Sequence, residues 1–383
     1  MPVEGGNIAR LADARRKRSK GDGTAGGGPS TGALFLDPKY PEQIAGEFLK
    51  SRHLDDQGRR LMVCQGGVFY RYDGTAYRPV EEAQLESAIY EFVRPAWRPT
   101  KTGAEPFDAD RRKVFDIVHA LRGLVHLSAE IAAPAWLGEA PADIAAEDVL
   151  ACRNTLVHLP TLSRLPHSPD FYTFNSLDFD YEPGATCPRW LRFLDEVLPG
   201  DPEAVEQLNQ MFGLLLTPET RQQKTFLLIG PKRSGKGTTG RILQSLVGER
   251  NTVSPGLSSL ATTFGREQLL GKRLAMISDA RLSGRTDQGP IIETILSISG
   301  EDPITVQRKF LPAWSGRLAL RFVMLSNELP AFIDVAGAFV SRWIILRFPN
   351  SFFGREDPEL TDRLLAERSG ILNWALAGLA RLR

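Results

Sequence analysis

The stretch FLLIGPKRSGKGTTGR at residues 226–241 constrains the fold of this chain more than any other feature. An apolar run typical of a buried strand leads into a glycine-rich loop, and a helical pattern then continues to Gly248. Residues 230–236 match G-x-x-x-x-G-K, in which the glycines let backbone amides approach phosphate oxygens and Lys236 reaches the terminal phosphates. We therefore predict a phosphate-binding loop at the carboxyl end of a strand in an α/β sheet.

The loop departs from its commonest form at one position. Gly237 follows Lys236 where a serine or threonine hydroxyl ordinarily ligates Mg²⁺, and Thr238 comes one residue later. We expect Thr238 to contact phosphate or, through water, the metal ion. The expected ligands are ATP and Mg²⁺, and the predicted nucleotide-binding residues are Gly230, Pro231, Lys232, Arg233, Ser234, Gly235, Lys236, Gly237, Thr238 and Thr239.

Two polar residues beyond the loop are candidates for the chemistry. Asp279 follows the buried-strand run at 274–277, where a carboxylate can hold Mg²⁺ through water and orient the attacking water. Asn327 ends the run FVMLSN and is placed to reach the γ-phosphate or its water. Catalytic roles are predicted for Lys236, Asp279 and Asn327. The general base stays open, because Ser278 rather than a second acid precedes Asp279.

Composition and periodicity divide the chain into five segments. Residues 1–33 are rich in glycine, serine and basic residues and are predicted to be a disordered tail. Residues 34–150 alternate helical patterns with short β runs, which predicts a small α+β domain. Residues 151–186 are predicted to be a connector and residues 187–220 a pair of amphipathic helices. Residues 221–383 are predicted to form the α/β domain.

Charge is distributed unevenly between the two parts of the chain. Residues 221–383 carry 23 Lys and Arg against 14 Asp and Glu, whereas residues 1–220 carry 24 against 32. A basic domain beside an acidic one favours an anionic polymer as partner.

A basic hairpin is predicted inside the α/β domain. Residues 303–306 and 318–320 are expected to be its strands, with Gln307, Arg308 and Lys309 at its tip. Arg308 and Lys309 are the candidate DNA-binding residues, and a charged surface turn is the alternative interpretation.

Seven sequence blocks in this order resemble the helicase half of phage and plasmid primase-helicases (the poxvirus-type C-terminal half), which belong to the superfamily 3 helicases of the AAA+ class. They extend over about residues 150–383 and are CPRWLRFLDEVL, GPKRSGKGT, GKRLAMISDAR, SGEDPITVQRK, LSNELP, SRWIIL and GILNWALAGLARL. The resemblance implies a AAA+ P-loop core after a smaller N-terminal domain.

The resemblance also implies roles for individual residues. Gly230 to Thr238 form Walker A and Asp279 carries Walker B. Arg308 and Lys309 lie on a hairpin that grips DNA, Asn327 is sensor 1, and Arg342 is a catalytic arginine finger. Members of this family act as a ring, usually a hexamer, that threads DNA through its centre.

The predicted function is therefore an ATP-dependent DNA helicase of phage or plasmid replication, working on single-stranded or forked DNA in the bacterial cytoplasm. A separate primase or replication initiator is a further expected partner. The alternative is an ATP-dependent DNA-binding or origin factor that assembles without unwinding, or a prophage remnant. A nucleotide kinase is disfavoured, since such an enzyme would be compact, with its loop near the start of the chain.

Other activities are not expected from this sequence. The pairs Asp108/Asp110 and Asp178/Asp180 fit D-x-D, but the only S-x-H, at Ser51, precedes both, so we predict no primer synthesis despite a family label of primase. Three scattered cysteines fit a reducing compartment, and no histidine pairs with cysteine at metal spacing.

Overall fold

The computed structural model describes residues 32–141, 144–278, 288–329 and 338–383. The described residues fall into two compact units, one of residues 32–71 and 79–127 and the other of residues 72–78 and 128–383. Nearly all of the predicted tail lies outside the described residues. Within these ranges, no helix combines the length and the apolar composition needed to cross a bilayer.

The first unit is a small helical and β assembly. Helix α1 packs on the third helix, and apolar side chains from all three helices form its core, including Phe48, Ile89 and Leu121. Its strands β1 and β2 pair antiparallel, and the boundary between the units falls within β3 in the sequence. Its elements are α1 (Pro41–Arg52), β1 (Met62–Gln65), β2 (Val68–Tyr72), β3 (Tyr77–Val80), α2 (Glu82–Val93), β4 (Trp97–Thr100), β5 (Gly103–Pro106) and α3 (Arg111–Leu124).

The first of the two D-x-D pairs has a local structural role. The Asp110 carboxylate accepts a hydrogen bond from the backbone amide of Lys113 at 2.9 Å and so caps the start of α3. The Lys113 ammonium in turn lies 2.7 Å from Asp110 and 3.5 Å from Asp108. Both acids therefore serve the turn that begins a helix.

The second unit begins earlier in the chain than the predicted boundary at residue 150. The strand β6 (Ala135–Trp136) pairs antiparallel with β10 (Phe171–Tyr172), so residues before 150 belong to this unit. The predicted connector at 151–186 is also structured. It contributes most of an antiparallel sheet of β7 (Val149–Ala151), β8 (Leu156–His158) and β9 (Ser163–Leu165).

A five-stranded parallel sheet forms the centre of the second unit. Its strand order is β12-β13-β16-β11-β17, so β11 lies between two strands that come much later in the chain. Phe226 and Leu228 face one apolar core and Leu227 faces another, which explains why β11 is apolar after Thr225. The strands are β11 (Thr225–Ile229), β12 (Thr252–Val253), β13 (Leu274–Ile277), β16 (Arg321–Ser326) and β17 (Trp343–Arg347).

Helices cover both faces of this sheet. The helices α4, α5, α6 and α10 share one core with it, and α7 packs in the core on the other face. The two predicted amphipathic helices are α4 and α5, separated by Pro199 and Gly200. The helices are α4 (Pro188–Val197), α5 (Pro202–Leu214), α6 (Lys236–Val247), α7 (Gly289–Ser299), α8 (Ala338–Ser341), α9 (Leu360–Leu365) and α10 (Arg368–Leu382). The predicted fold class is confirmed at this level: a mixed α/β chain with a parallel sheet after a helical and β unit.

The basic hairpin exists, but with different strands from those predicted. It consists of β14 (Ile304–Arg308) and β15 (Leu311–Gly316), which pair antiparallel. Its two-residue turn is Lys309-Phe310, so Arg308 ends a strand instead of standing at the tip. The predicted return strand at 318–320 lies beyond β15, and Leu318 and Leu320 are buried in the core before β16. Pro312 made β15 hard to predict from the sequence. Among the described residues β15 pairs only with β14, and proline is tolerated on such an edge strand.

Candidate functional site

The glycine-rich loop joins β11 to α6 and requires glycine at two positions. A Cβ at Gly230 would lie 2.1 Å from the carbonyl oxygen of Phe348, and a Cβ at Gly235 would lie 2.6 Å from Val197. Gly235 also has φ 94°, in the left-handed region, where it precedes the first residue of α6. The loop is therefore pressed against β17 and α4, and its outer face opens at the carboxyl end of the sheet.

Lys236 begins α6 and points back into the loop. It is 7% exposed, and its ammonium donates hydrogen bonds to the carbonyl oxygens of Gly230 (2.6 Å) and Pro231 (2.8 Å) and to Ser234 Oγ (3.0 Å). Burial lowers the pKa of Lys236 from its ordinary value, because desolvation disfavours the charged form. The loop thus holds one cation against its own oxygens.

A cavity of about 570 Å³ lies over the outer face of the loop. Its size falls within the range of small-molecule sites. Three elements contribute to it: the loop with the first turns of α6, the end of β13, and the end of β16. Its lining residues are Lys232, Arg233, Ser234, Gly235, Lys236, Gly237, Thr238, Arg241, Gln244, Met276, Ser278, Leu325, Ser326 and Asn327.

The strand order explains how distant residues meet at this cavity. The strand β16 lies between β11 and β13, so its carboxyl end borders the loop directly. Asn327 follows β16, is exposed and lines the cavity, next to the loop as predicted from its position. Ser278 follows β13 and also lines the cavity. The predicted catalytic residue Asp279 lies just outside the described residues.

The two threonines after Gly237 have different surroundings. Thr238 lines the cavity, and its Oγ1 accepts a hydrogen bond from Arg241 at 3.1 Å. Thr239 is fully buried, and its hydroxyl donates to the carbonyl of Gly235 at 3.1 Å. Of the two hydroxyls, that of Thr238 is the one available to a ligand in the cavity. A Cβ at Gly237 would meet nothing closer than 3.6 Å, so space for a side chain exists there.

Arg342 lies at the opposite end of the sheet from the loop. Its carbonyl accepts from Thr225 at the amino end of β11, whereas the loop follows the carboxyl end of the same strand. Its guanidinium donates to the carbonyl of Leu296 and to Ser299 Oγ, the latter at 3.2 Å, at the C-terminus of α7. The structure therefore places Arg342 at a helix end, apart from the cavity of its own chain. An ion pair with a nearby acid such as Asp334 is the alternative, structural role for Arg342, and Asp334 lies outside the described residues.

A second cavity of about 380 Å³ adjoins the first, and Arg233, Gly235, Thr238 and Arg241 line both. This second cavity could not be predicted from the sequence, because its other walls come from α4 and from the segment after β17. Its remaining lining residues are Arg189, Phe193, Glu196, Val197, Phe352, Arg355, Glu356, Asp357, Pro358, Leu360 and Thr361. Only Arg241 carried a usable signal, since it lies three residues after Thr238 and so on the same face of α6.

The two predicted DNA-binding residues differ in their surroundings. Arg308 is half-buried, and its Nε donates to the carbonyl of Pro312 at 2.8 Å across the hairpin. Lys309 is exposed, and its ammonium lies 5.9 Å from the centre of the Phe264 ring. Arg308 thus stabilises the hairpin as well as contributing positive charge, whereas Lys309 presents its charge to solvent.

Two protein-family models match separate parts of the chain. The family described as D5 N terminal like matches residues 46–199, and a family of unknown function, DUF5906, matches residues 228–341. Each match covers less than half of the chain. The first agrees with the resemblance to phage primase-helicases, and the second contains the glycine-rich loop and the hairpin.

Solved structures of the NrS-1 C-terminal region resemble this fold. The A-form apo structure has a TM-score of 0.53 and 10% sequence identity, covering 90% of this chain and 71% of that chain. A second apo structure of the same region also has a TM-score of 0.53 at 10% identity, over 89% and 72% of the two chains. At this identity the likeness shows a shared fold.

Proposed function

We propose that this chain is an ATP-dependent DNA helicase of phage or plasmid replication, with a superfamily 3 AAA+ motor that works as a ring. The observation that carries the proposal is the glycine-rich loop at the carboxyl end of β11. It borders a cavity that Asn327 reaches from the neighbouring strand. Ligands of open parallel sheets bind at this edge.

The two adjoining cavities fit the two parts of a nucleoside triphosphate. The loop and the N-terminus of α6 offer backbone amides and a helix dipole to phosphates, with Lys232, Arg233 and Lys236 as cations. The second cavity combines aromatic and aliphatic walls with polar groups, which suits a nucleoside. In the proposed complex the Lys236 ammonium exchanges its loop carbonyls for phosphate oxygens.

The oxygen-bearing side chains at the loop suit Mg²⁺. Thr238 and Ser278 offer hydroxyls and Asn327 an amide oxygen, the hard donors that this ion prefers. When bound, Mg²⁺ would neutralise charge on the phosphate oxygens. Asp279 remains the proposed acidic ligand through water, and Asn327 would hold the γ-phosphate or the attacking water.

A ring would give Arg342 a nucleotide to act on. Because β11 rises about 3.3 Å per residue over five residues, Arg342 is roughly 15 Å from the loop of its own chain. Only a loop from a neighbouring subunit would then receive its guanidinium. This geometry supports the assignment in trans, which the sequence resemblance implies.

Strand displacement on forked DNA tests the proposal. The protein with ATP and Mg²⁺ is expected to release one strand of a forked duplex, and to release none without ATP. The competing function is an ATP-dependent DNA-binding or origin factor. That alternative would be supported by DNA-dependent ATP hydrolysis and tight DNA binding with no strand release, and the helicase proposal would then be rejected.

A further inference from the structure

The turn of the basic hairpin carries an exposed aromatic side chain that the predicted DNA contacts do not include. Phe310 is the second residue of the two-residue turn between β14 and β15, and it is 103% exposed. Burying a phenylalanine side chain ordinarily stabilises a fold, because its apolar surface leaves water. Phe310 contributes none of this to the fold, so packing does not explain its presence.

The backbone at Phe310 makes the residue still more unusual. Its φ is 61°, in the left-handed region, where glycine or asparagine is the ordinary residue of a tight turn. A bulky residue there is a genuine outlier and strains the backbone. Such strain, at a position where the side chain is fully exposed, points to a use outside the fold.

The surroundings of Phe310 are basic and aromatic. Arg308 and Lys309 precede it directly, and Lys309 lies over the half-exposed ring of Phe264. The hairpin is anchored, since Val306 is fully buried and both Ile304 and Trp314 pack against the apolar core on the α7 face of the sheet. The tip therefore projects a hydrophobic ring and positive charge from a fixed support.

We propose that Phe310 stacks against bases of single-stranded nucleic acid while the neighbouring basic side chains contact its phosphates. This inference rests on the proposed DNA-binding function and adds a contact to bases. Every base presents an aromatic face, so stacking needs no particular sequence. In a duplex those faces are already covered by neighbouring base pairs, which is why the single strand is the matching form. The positive charge beside the ring favours a nucleic acid over an apolar protein surface.

Binding of a single-stranded dT oligonucleotide, measured without ATP at several salt concentrations, tests the proposal. Phe310→Ala is expected to weaken binding roughly 5- to 150-fold, the range for loss of one stacked base, with the salt slope unchanged. Phe310→Trp keeps an aromatic ring and is expected to bind about as tightly as the unaltered protein. Lys309→Ala should instead reduce the salt slope by about one, since one fewer counterion is released. Phe353→Ala removes another exposed aromatic and should bind as the unaltered protein does.

An abasic oligomer of the same length identifies the base as the contact. The unaltered protein should bind it about as weakly as Phe310→Ala binds the dT ligand, and Phe310→Ala should add no further loss. Phe310→Gly should raise the melting temperature, because it relieves the strained backbone, and still weaken binding. Higher stability with weaker binding separates a ligand contact from a folding defect.

Three outcomes would overturn the inference. If Phe310→Ala bound the dT ligand as tightly as the unaltered protein, Phe310 would make no contact with the ligand. If Phe310→Ala lost the same affinity for the dT and the abasic ligands, the ring would contact the sugar-phosphate backbone and not a base. If Phe310→Ala changed the size of the assembly and left the nucleic-acid affinity unchanged, the hairpin tip would contact another protein subunit. The proposed function fails separately, if the unaltered protein shows no salt-dependent binding to either ligand.

Discussion

Lys236 is the residue on which the proposed nucleotide chemistry most depends. Its ammonium is desolvated and held by three oxygens of its own loop, and Lys236 lines the cavity proposed to receive the phosphates. Lys236→Ala is expected to abolish ATP hydrolysis and DNA unwinding. The fold should survive, because the substitution also removes a buried charge whose pKa is lowered in the folded state.

The measurements are steady-state ATP hydrolysis and circular dichroism. Lys39→Ala, which removes an exposed lysine from the first unit, should retain full hydrolysis. Near-normal hydrolysis by Lys236→Ala would show that the loop is not the nucleotide site.

His53 makes the stability of the first unit depend on pH. The imidazole is 6% exposed, both ring nitrogens lack a partner in the described part of the chain, and the ring lies edge-on to Phe48. Burial, with smaller contributions from Arg71 and Arg52, lowers the pKa of His53 to about 4. Because the folded pKa lies below the unfolded value, stability is full above about pH 6.5 and falls as pH drops towards 4.

His53→Phe is expected to flatten this acid-side loss of stability in urea unfolding. The substituted ring keeps the aromatic contact and has no proton to gain. His126→Phe, at an exposed position, should leave the pH dependence unchanged. If His53→Phe lost as much unfolding free energy at low pH as the unaltered protein, this histidine would not control that loss.

At the scale of single elements, Gly237 occupies the start of α6 without a steric need for glycine. A Cβ there would meet only Arg241 Nη1, at 3.6 Å. Glycine within a helix costs about 0.5–1 kcal/mol relative to alanine. Gly237→Ala is therefore expected to raise the free energy of unfolding by up to that amount in urea titrations. Gly240→Ala is the matched control and should not stabilise, since its Cβ would lie 3.1 Å from Leu325.

Gly237→Ser tests the metal side of the same position. It places a hydroxyl where the commonest loop has its Mg²⁺ ligand, so hydrolysis should reach half its maximum at a lower Mg²⁺ concentration. Loss of nucleotide binding in both Gly237 variants, despite a sound fold, would show instead that the bare backbone at this position contacts the ligand.

The hairpin and the parallel sheet show how far sequence patterns predict elements. The strand before the loop and the run at 274–277 were predicted at their observed positions, because buried parallel strands are continuously apolar. The hairpin strands were misplaced because β15 is mostly exposed and contains Pro312, so it lacks both the apolar run and the usual strand composition. The turn at Phe310 carries no turn signal at all.

At the scale of the whole molecule, the site was predictable where it lies within one stretch of chain. Of the predicted loop residues, Lys232 to Thr238 line one cavity together with Asn327, whereas Gly230, Pro231 and Thr239 do not line it. The second cavity was not predictable, because Phe193 and Arg355 come together through the packing of α4 and the segment after β17. The boundary near residue 127 was missed because short strands such as β6 have too few residues to show a pattern.

In the proposed ring motor, a neighbouring subunit completes each nucleotide site. In that proposal, Arg342 is the residue that would reach the nucleotide of the neighbouring subunit. Its hydrogen bonds at the C-terminus of α7 offer a purely structural role as the alternative. Under that alternative, Arg342→Ala would lower the melting temperature and leave hydrolysis per folded molecule unchanged.

Mixing two inactive variants tests whether Arg342 acts on the nucleotide of a neighbouring subunit. Arg342→Ala is titrated into Lys236→Ala while ATP hydrolysis is measured. An arginine acting in trans is worth roughly 10³ to 10⁵ in rate in well-studied phosphoryl-transfer enzymes, so each variant alone should be nearly inactive. Mixed rings would contain junctions with an intact loop on one side and an intact arginine on the other, so hydrolysis is expected to return in part. Full, concentration-independent hydrolysis by Arg342→Ala alone would contradict an action in trans.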